Sequence, residues 1–143
     1  MRRIFMAEDN PADVYMLDLA LKESGAVFEL EVAYTGKEAL AFLEREKDSN
    51  KPLLDLILLD LNLPQHDGAD LLRYVRQDPH LGSVPTVLFT SSDSPKDRLN
   101  AIREGADRFI RKPSQLREYM AIGTTLKNML DSILDNDARP DVA

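Results

Sequence analysis

Five short, mostly apolar runs recur along the chain, and longer segments with helical spacing separate them. The runs occupy residues 4–7, 30–33, 56–59, 87–89 and 109–110. Each run is shorter than an ordinary helix and suits a strand that is buried on both faces of a sheet. The pattern therefore predicts five buried strands.

The segments between the runs carry the signals with which helices begin and end. Five residues are expected to cap helix N-termini: Asn10, Thr35, Asp67, Ser94 and Ser114. Proline follows two of these caps directly, and a capping box of Thr35 and Glu38 opens the second helix, which is expected to end near Leu43. Gly25 and Gly105 follow the expected ends of the first and fourth helices. The chain thus alternates strand and helix.

Strands that alternate with helices favour right-handed crossovers and a parallel sheet that helices cover on both faces. The predicted fold class is therefore α/β, with a doubly wound, five-stranded sheet in one domain. In such folds, ligands bind beyond the carboxyl ends of the strands, where the strand order reverses. Reactive side chains fall at those predicted ends: Glu8 and Asp9, Asp60, Thr90 and Lys112.

Composition narrows the class of protein. The 143 residues are 43% hydrophobic, which suffices for the core of one domain. The net charge of -7 opposes extensive contact with nucleic-acid phosphates, so no nucleic-acid partner is expected. Neither a membrane span nor a signal-peptide core is present in the sequence, so we expect a cytoplasmic protein without membrane contact. Because the chain has no cysteine and only two histidines, any metal should have oxygen ligands.

The acidic residues at the strand ends predict a magnesium site. Three carboxylates in one place repel each other, and they stay ionised only where a cation or hydrogen-bond donors offset the repulsion. Mg²⁺ takes oxygen ligands, keeps several waters and commonly binds one or two carboxylates together with phosphate oxygens. We expect Asp9 and Asp60 to be direct ligands, Glu8 to act through water, and the Asn62 backbone carbonyl to complete the shell.

The remaining residues indicate phosphoryl transfer. Asp60 ends a strand and precedes a loop, which makes its carboxylate the candidate nucleophile. Charge on a transferring phosphoryl group is stabilised by positive groups and hydrogen-bond donors that are already in position. We expect Lys112 to supply the ammonium, Thr90 to supply the hydroxyl, and the loop around Asn62 to supply backbone N–H groups.

Each of these residues also has an ordinary explanation when it is taken alone. Glu8 and Asp9 stand beside a helix start, where acids are common, and Asp60 is compatible with a simple loop position. Thr90 fits a polar loop, and Lys112 fits an ordinary strand exit. Their occurrence together, at the ends of four strands, favours the functional interpretation.

Four segments together resemble the receiver domain of bacterial two-component response regulators. The resemblance runs from about Arg2 to Met120. The segments are Met6-Ala-Glu-Asp-Asn-Pro11, Leu56-Ile-Leu-Leu-Asp-Leu-Asn-Leu-Pro64 with Asp67-Gly68, Val87-Leu-Phe-Thr-Ser91, and Gly105-Ala-Asp-Arg-Phe-Ile-Arg-Lys-Pro113.

The resemblance implies a flavodoxin-like fold with strand order 2-1-3-4-5. It also implies that Asp60 accepts a phosphoryl group from a sensor histidine kinase or a phosphotransfer protein. In that case Mg²⁺ is held by Glu8, Asp9, Asp60 and the Asn62 backbone. Such a protein switches partner binding or relays the phosphoryl group, and it catalyses only its own phosphorylation and dephosphorylation.

The resemblance further implies how the phosphorylated state is detected. Thr90 and Lys112 contact the phosphoryl group, and Phe109 turns inward as Thr90 moves. In the family the position of Phe109 is more often tyrosine, so one hydrogen bond is absent here. A cis peptide bond is implied between Lys112 and Pro113, a bond type that is largely confined to proline.

The C-terminal part of the sequence indicates how the domain is bounded and which class of regulator it resembles. Residues 1–120 are expected to form the receiver core, and residues 121–143 to form an extension of the last helix with an acidic tail. The segment after Met120 is too short for an output domain, so we expect a stand-alone regulator. The polar insertion at residues 44–52, the Asp78-Pro79 turn and the long last helix resemble single-domain regulators that are paired with bacteriophytochrome-type kinases.

An apolar stripe continues along the last helix. Its members follow helical spacing: Leu116, Tyr119, Met120, Leu126, Met129, Leu130, Ile133 and Leu134. The stripe is longer than one sheet needs for its cover, so we expect an exposed surface and a homodimer formed through the last helix. The alternative is that the helix end packs on its own domain.

Two other functions share this architecture. The first is a flavodoxin-like protein that binds flavin or a nucleotide, but the first strand is followed by Glu8-Asp9-Asn10-Pro11 and no glycine-rich phosphate loop. The second is a metal-dependent phosphohydrolase. Such enzymes commonly carry a second acid two residues after the nucleophile, and that position holds Asn62 here.

Overall fold

A computed structural model describes residues 1–135, with side chains to residue 132. The strands are β1 (Arg2–Ala7), β2 (Phe28–Ala33), β3 (Leu56–Leu59), β4 (Thr86–Thr90) and β5 (Arg108–Arg111). The helices are α1 (Pro11–Glu23), α2 (Gly36–Glu46), α3 (Gly68–Gln77), α4 (Pro95–Arg103) and α5 (Leu116–Asp135). Within this described part of the chain, no helix is both long and apolar enough to cross a membrane.

The five strands form one parallel sheet in the order β2-β1-β3-β4-β5. This confirms the predicted doubly wound, flavodoxin-like architecture. The strand order reverses at β1, which lies between β2 and β3. Because Ala7 pairs with Leu59 in the β1–β3 register, both strands end at the same level. The residues that follow them, Glu8 and Asp60, therefore emerge side by side.

Alternating strand residues divide the core between the two faces of the sheet. Phe5 and Ile57 point to the face that α2, α3 and α4 cover, where they pack with Leu43 and Leu71. The opposite face is covered by α1 and α5. Its buried residues are Ile4, Met6, Leu17, Leu21, Leu56, Leu58, Val87, Phe89, Tyr119, Leu126 and Leu130. Helices thus cover both faces of the sheet, as strands with uninterrupted apolar residues require.

The predicted start signals hold for four of the five helices. The side chains of Asn10, Thr35, Asp67 and Ser94 each accept a hydrogen bond from a backbone N–H in the first helical turn. The α2 helix continues to Glu46, beyond the predicted end. The prediction for Ser114 is wrong, because α5 begins two residues later and its first turn is closed on the Gln115 carbonyl.

The peptide bond between Lys112 and Pro113 is trans, since the described residues contain no cis bond. The cis bond that the resemblance implied is therefore wrong here. For a residue before proline the two isomers differ by only about 0.5–1 kcal/mol, so local sequence does not select the cis form.

Helix α5 packs along α1 for much of its length. Tyr119, Leu126 and Leu130, three members of the predicted apolar stripe, are at most 4% exposed within the chain's own core. Leu116 is exposed, and Met120, Ile122 and Met129 are half-buried. The predicted acidic tail covers residues 135–143. Residues 136–143 of this tail lie outside the described residues, as do the side chains of Ile133 and Leu134.

Gly123 sets the distance between α5 and α1. A Cβ atom on Gly123 would lie 2.3 Å from the carbonyl oxygen of Ala20. Both elements are helices with packed neighbours, so neither can move freely away.

We therefore expect Gly123→Ala to destabilise the protein by about 1–3 kcal/mol, although alanine favours helix formation by about 1 kcal/mol. Urea unfolding measures the change. Thr124→Ala, at an exposed position on the same helix, serves as the control. A Gly123→Ala protein as stable as the wild type would contradict the close contact.

Candidate functional site

Three predicted site residues meet at the carboxyl edge of the sheet. Glu8 and Asp60 directly follow β1 and β3, and Lys112 directly follows β5. The backbone ladder continues one residue beyond the strands, because the Glu8 N–H donates to Ala33 at 2.9 Å and the Asp60 N–H donates to Ala7 at 3.0 Å. The position of both acids is thus fixed by backbone hydrogen bonds.

A cluster of three carboxylates lies at this edge. Carboxylate oxygens of Glu8, Asp9 and Asp60 all lie within 4.8 Å of one another. Glu8 is 0% exposed and Asp60 is 4% exposed, whereas Asp9 faces solvent. The two buried acids and the solvent-facing Asp9 together form a set of hard oxygen donors. Such a set fits a divalent cation of the Mg²⁺ or Mn²⁺ class.

The ammonium group of Lys112 contacts three carboxylates. Its Nζ atom lies 2.9 Å from Glu8 Oε1, 2.9 Å from Asp13 Oδ2 and 3.0 Å from Asp60 Oδ2. Burial alone would lower the Lys112 pKa, but the hydrogen bonds to Glu8, Asp13 and Asp60 outweigh it and raise the pKa above its ordinary value. Lys112 is therefore a fixed positive charge beside Asp60.

Glu8 has the most perturbed carboxyl group of the cluster. Burial raises its pKa from 4.5 to about 7, and the nearby charge of Asp60 adds to the rise, while Lys112 and the Asn10 N–H oppose it. In the metal-free protein, the folded state therefore binds a proton more tightly than the unfolded chain. It loses stability as the pH rises through about 7.

This titration predicts that divalent-cation binding weakens on acidification. Below about pH 7 Glu8 carries a proton, which a cation must displace. We expect the apparent divalent-cation affinity to fall by up to about tenfold per pH unit below that value. Calorimetric titrations between pH 5.5 and 8.5 measure this dependence. The Glu8→Gln protein should lose it over this range, and a pH-independent wild-type affinity would contradict the assignment.

The loop after Asp60 folds back over its carboxylate. The Asn62 N–H donates to Asp60 Oδ1 at 3.1 Å. Helix α3 begins close by, since a Cβ atom on Gly68 would lie 2.4 Å from the Asp60 carbonyl oxygen. Only glycine fits at this approach. The donation of backbone N–H groups from this loop to a phosphoryl group stays a prediction, because the Asn62 N–H donates here to Asp60 itself.

Thr90 and Phe109 lie on the neighbouring strands. Thr90 is buried at the end of β4, and its hydroxyl accepts a hydrogen bond from the Ser92 N–H at 3.3 Å. Phe109 is half-buried on β5, with the Arg98 guanidinium 5.9 Å from its ring centroid. The Thr90 hydroxyl has no hydrogen bond to Asp60 in the described residues, and Phe109 has no polar group to offer one.

Asp13 and Tyr119 belong to the site, and sequence reasoning missed their connection to it. In the sequence Asp13 has the position of an ordinary first-turn acid of α1, and Tyr119 is a member of the apolar stripe. In the structure Asp13 contacts Lys112 and accepts a hydrogen bond from the Tyr119 hydroxyl. This contact depends on the packing of α5 against α1, for which the linear sequence carries no separate signal.

Comparison with known proteins agrees with this geometry. A family model described as the response regulator receiver domain matches residues 4–122. The response regulator Rcp1 of Synechocystis sp. is 34% identical over 116 residues, which are 80% of this chain and 79% of that protein. The transcriptional regulatory protein TrcR of Mycobacterium tuberculosis is 34% identical over 119 residues, which are 83% of this chain and 42% of that protein.

Solved structures share the fold over nearly the whole chain. The Mn(2+)-bound form of Rcp1 aligns with a TM-score of 0.79 at 30% identity and covers 90% of this chain and 93% of its own. The phosphorylated cyanobacterial phytochrome response regulator RcpA aligns with a TM-score of 0.82 at 32% identity and covers 92% and 94%. One relative thus holds a divalent cation, and the other is phosphorylated.

Proposed function

Because the chain belongs to the response regulator receiver domain family, we propose that Asp60 is the residue that accepts a phosphoryl group in a Mg²⁺-dependent reaction. The observation that carries the proposal is the setting of Asp60. Its carboxylate is buried, lies 3.0 Å from the Lys112 ammonium and shares a cluster with two further acids.

In the proposed reaction, an oxygen of Asp60 attacks the phosphorus atom of the donor. A new oxygen–phosphorus bond forms, and the bond from phosphorus to the donor's nitrogen or oxygen breaks. Lys112 offsets the negative charge that the phosphoryl oxygens bring into the site, and the Asn62 N–H adds a fixed donor. When bound by Glu8, Asp9, Asp60 and the Asn62 carbonyl, Mg²⁺ would neutralise further charge.

We propose that Thr90 and Phe109 convert phosphorylation into a change of surface. In this proposal the Thr90 hydroxyl turns from the Ser92 N–H toward the phosphoryl group on Asp60. Phe109 then moves from its half-buried position beneath Arg98 into the space that Thr90 leaves. The changed surface of β5 and its neighbouring helices alters partner affinity.

We propose that the protein is cytoplasmic and that its phosphoryl donor is a sensor histidine kinase of the phytochrome type, or a phosphotransfer protein in a relay. The likeness to the phytochrome response regulator RcpA over 92% of this chain supports the narrower choice. The protein's own chemistry would then be limited to its phosphorylation and dephosphorylation.

We also propose a homodimer formed through α5, with residues 1–120 as the receiver core and residues 121–143 as the extension. Of the described stripe residues, exposed Leu116 and half-buried Met120 and Met129 remain available for such a contact. Light scattering on the phosphorylated and unphosphorylated protein tests the dimer. A monomeric mass in both states would contradict it.

Intact mass spectrometry tests the proposed function. The protein is incubated with acetyl phosphate and either Mg²⁺ or EDTA, and we expect a gain of about 80 Da, one phosphoryl group on a carboxylate, only with Mg²⁺. No gain from either acetyl phosphate or a phosphorylated kinase would overturn the proposal. Sustained release of phosphate from small esters would instead support the phosphohydrolase.

A further inference from the structure

A polar chain connects the acceptor site to helix α5. Lys112 Nζ contacts Asp60 on one side and Asp13 Oδ2 on the other, at 3.0 and 2.9 Å. The second oxygen of the Asp13 carboxylate accepts a hydrogen bond from the Tyr119 hydroxyl. The residues that directly follow β3 and β5 are thus connected to residues of α1 and α5 by one set of contacts.

The side chains that form this polar chain are largely buried. The side chains of Lys112 and Asp13 are 12% and 18% exposed, and Tyr119 is 4% exposed. The Tyr119 ring packs edge to face on Phe89, with the centroids 6.0 Å apart. Burial, reinforced by the bond to Asp13, raises the Tyr119 pKa, so the hydroxyl stays protonated and remains a donor.

Asp13 differs from the other two partners of Lys112. Glu8 and Asp60 belong to the cluster of three carboxylates that fits a divalent cation, whereas Asp13 does not. When a cation binds and the Asp60 carboxylate becomes an acyl phosphate, the carboxylates of Glu8 and Asp60 offer less negative charge to the ammonium, while the phosphoryl oxygens become new partners. Asp13 is the carboxylate that can stay with Lys112 before, during and after the transfer. A lysine side chain has many rotamers, so losing its one constant partner would release it.

We propose that Asp13 is a positioning residue that holds Lys112 in place during phosphoryl transfer, and that the Tyr119 hydroxyl orients Asp13 for this role. The inference rests on the proposed function of Asp60. It assigns α1 and α5 a direct part in the chemistry of the acceptor site, through the ammonium that both Asp60 and Asp13 contact.

The test compares labelling rates with saturating Mg²⁺ and varied acetyl phosphate. We expect Tyr119→Phe, which removes only the hydroxyl, to lower the maximal rate about fivefold, the effect of one lost hydrogen bond. Asp13→Asn should lower it further, since the neutral amide removes the negative charge that faces the Lys112 ammonium. The acetyl phosphate concentration that gives half the maximal rate should not change. In the double variant the effects should not multiply, because both act on one contact.

Matched controls make the same chemical changes elsewhere. Tyr74→Phe removes a hydroxyl on the opposite face of the sheet, where Tyr74 packs against the other core cluster. Asp18→Asn removes a carboxylate from α1 that pairs with Lys22 at 2.9 Å. Both should label at the wild-type rate. Urea unfolding of each variant shows that the folded protein is being assayed.

The Lys112→Met background separates a positioning role from a merely structural one. In Lys112→Met the ammonium is absent, so adding Tyr119→Phe should cause no further slowing. Continued slowing in that background, or a wild-type rate for Tyr119→Phe alone, would overturn the inference. Failure of the wild-type protein to label from both acetyl phosphate and a phosphorylated kinase would instead overturn the proposed function, so the two failures are distinguishable.

Discussion

Asp60→Asn is expected to abolish phosphorylation. The carboxylate oxygen that forms the new bond is replaced by an amide, which is a poor nucleophile, while the size and shape of the side chain are kept. The wild-type gain of about 80 Da with acetyl phosphate and Mg²⁺ should therefore be absent from the variant at all times. Intact mass spectrometry follows both proteins side by side.

Two controls make this result specific. Asp18→Asn carries the same change on α1 and should label normally. Circular dichroism should show that Asp60→Asn is folded, since Lys112 keeps Glu8 and Asp13 as partners. Undiminished labelling of Asp60→Asn would refute the site assignment, and peptide mapping would then locate the modified residue.

Lys112→Met is expected to have the second large effect. It leaves the buried carboxylates of Glu8 and Asp60 without their positive partner, and breaking such a buried cluster costs about 3–5 kcal/mol. The free energy of unfolding, measured in urea at pH 8 with EDTA, should fall by that amount. The labelling rate should fall about 10²–10³-fold, the usual effect of losing a fixed charge at a reacting centre.

The loss of stability should depend on solution conditions. Added Mg²⁺ should restore part of it, because a cation that binds only the folded state stabilises that state. Acidification through the raised Glu8 pKa of about 7 should make the loss of stability smaller, since protonated Glu8 needs no positive partner. Lys127→Met, which removes an ammonium from a partly exposed pair with Asp131, is the control and should cost less than about 1 kcal/mol. An equal fall in the free energy of unfolding for Lys112→Met and Lys127→Met would contradict the role of Lys112.

Local signals in the sequence predicted most of the fold. The five apolar runs became the five strands, and Asn10, Thr35, Asp67 and Ser94 cap their helices. Such signals depend on a few neighbouring residues, so they can be recognised without knowing how the rest of the chain folds. Ser114 is the exception, because α5 begins at Leu116 and its first turn is closed on the Gln115 carbonyl.

The candidate site could be predicted for a related reason. In a parallel sheet every strand ends at the same edge, so residues such as Glu8, Asp60 and Lys112 converge once strands are assigned. The acidic cluster and the ammonium beside Asp60 therefore followed from positions in the sequence. The pKa of Glu8 did not, because it depends on how deeply the neighbouring segments bury the side chain.

Sequence by itself determined the alternation of elements, their caps and the set of reactive residues at the strand ends, since each depends on local pattern and on a regular sheet. Tertiary structure alone decided that Asp13 and Tyr119 join the site, that Leu126 and Leu130 pack inside the chain, and how closely α5 approaches α1. The physical reason is that these features arise where two helices far apart in sequence pack together, and the sequence of either helix alone does not specify that contact.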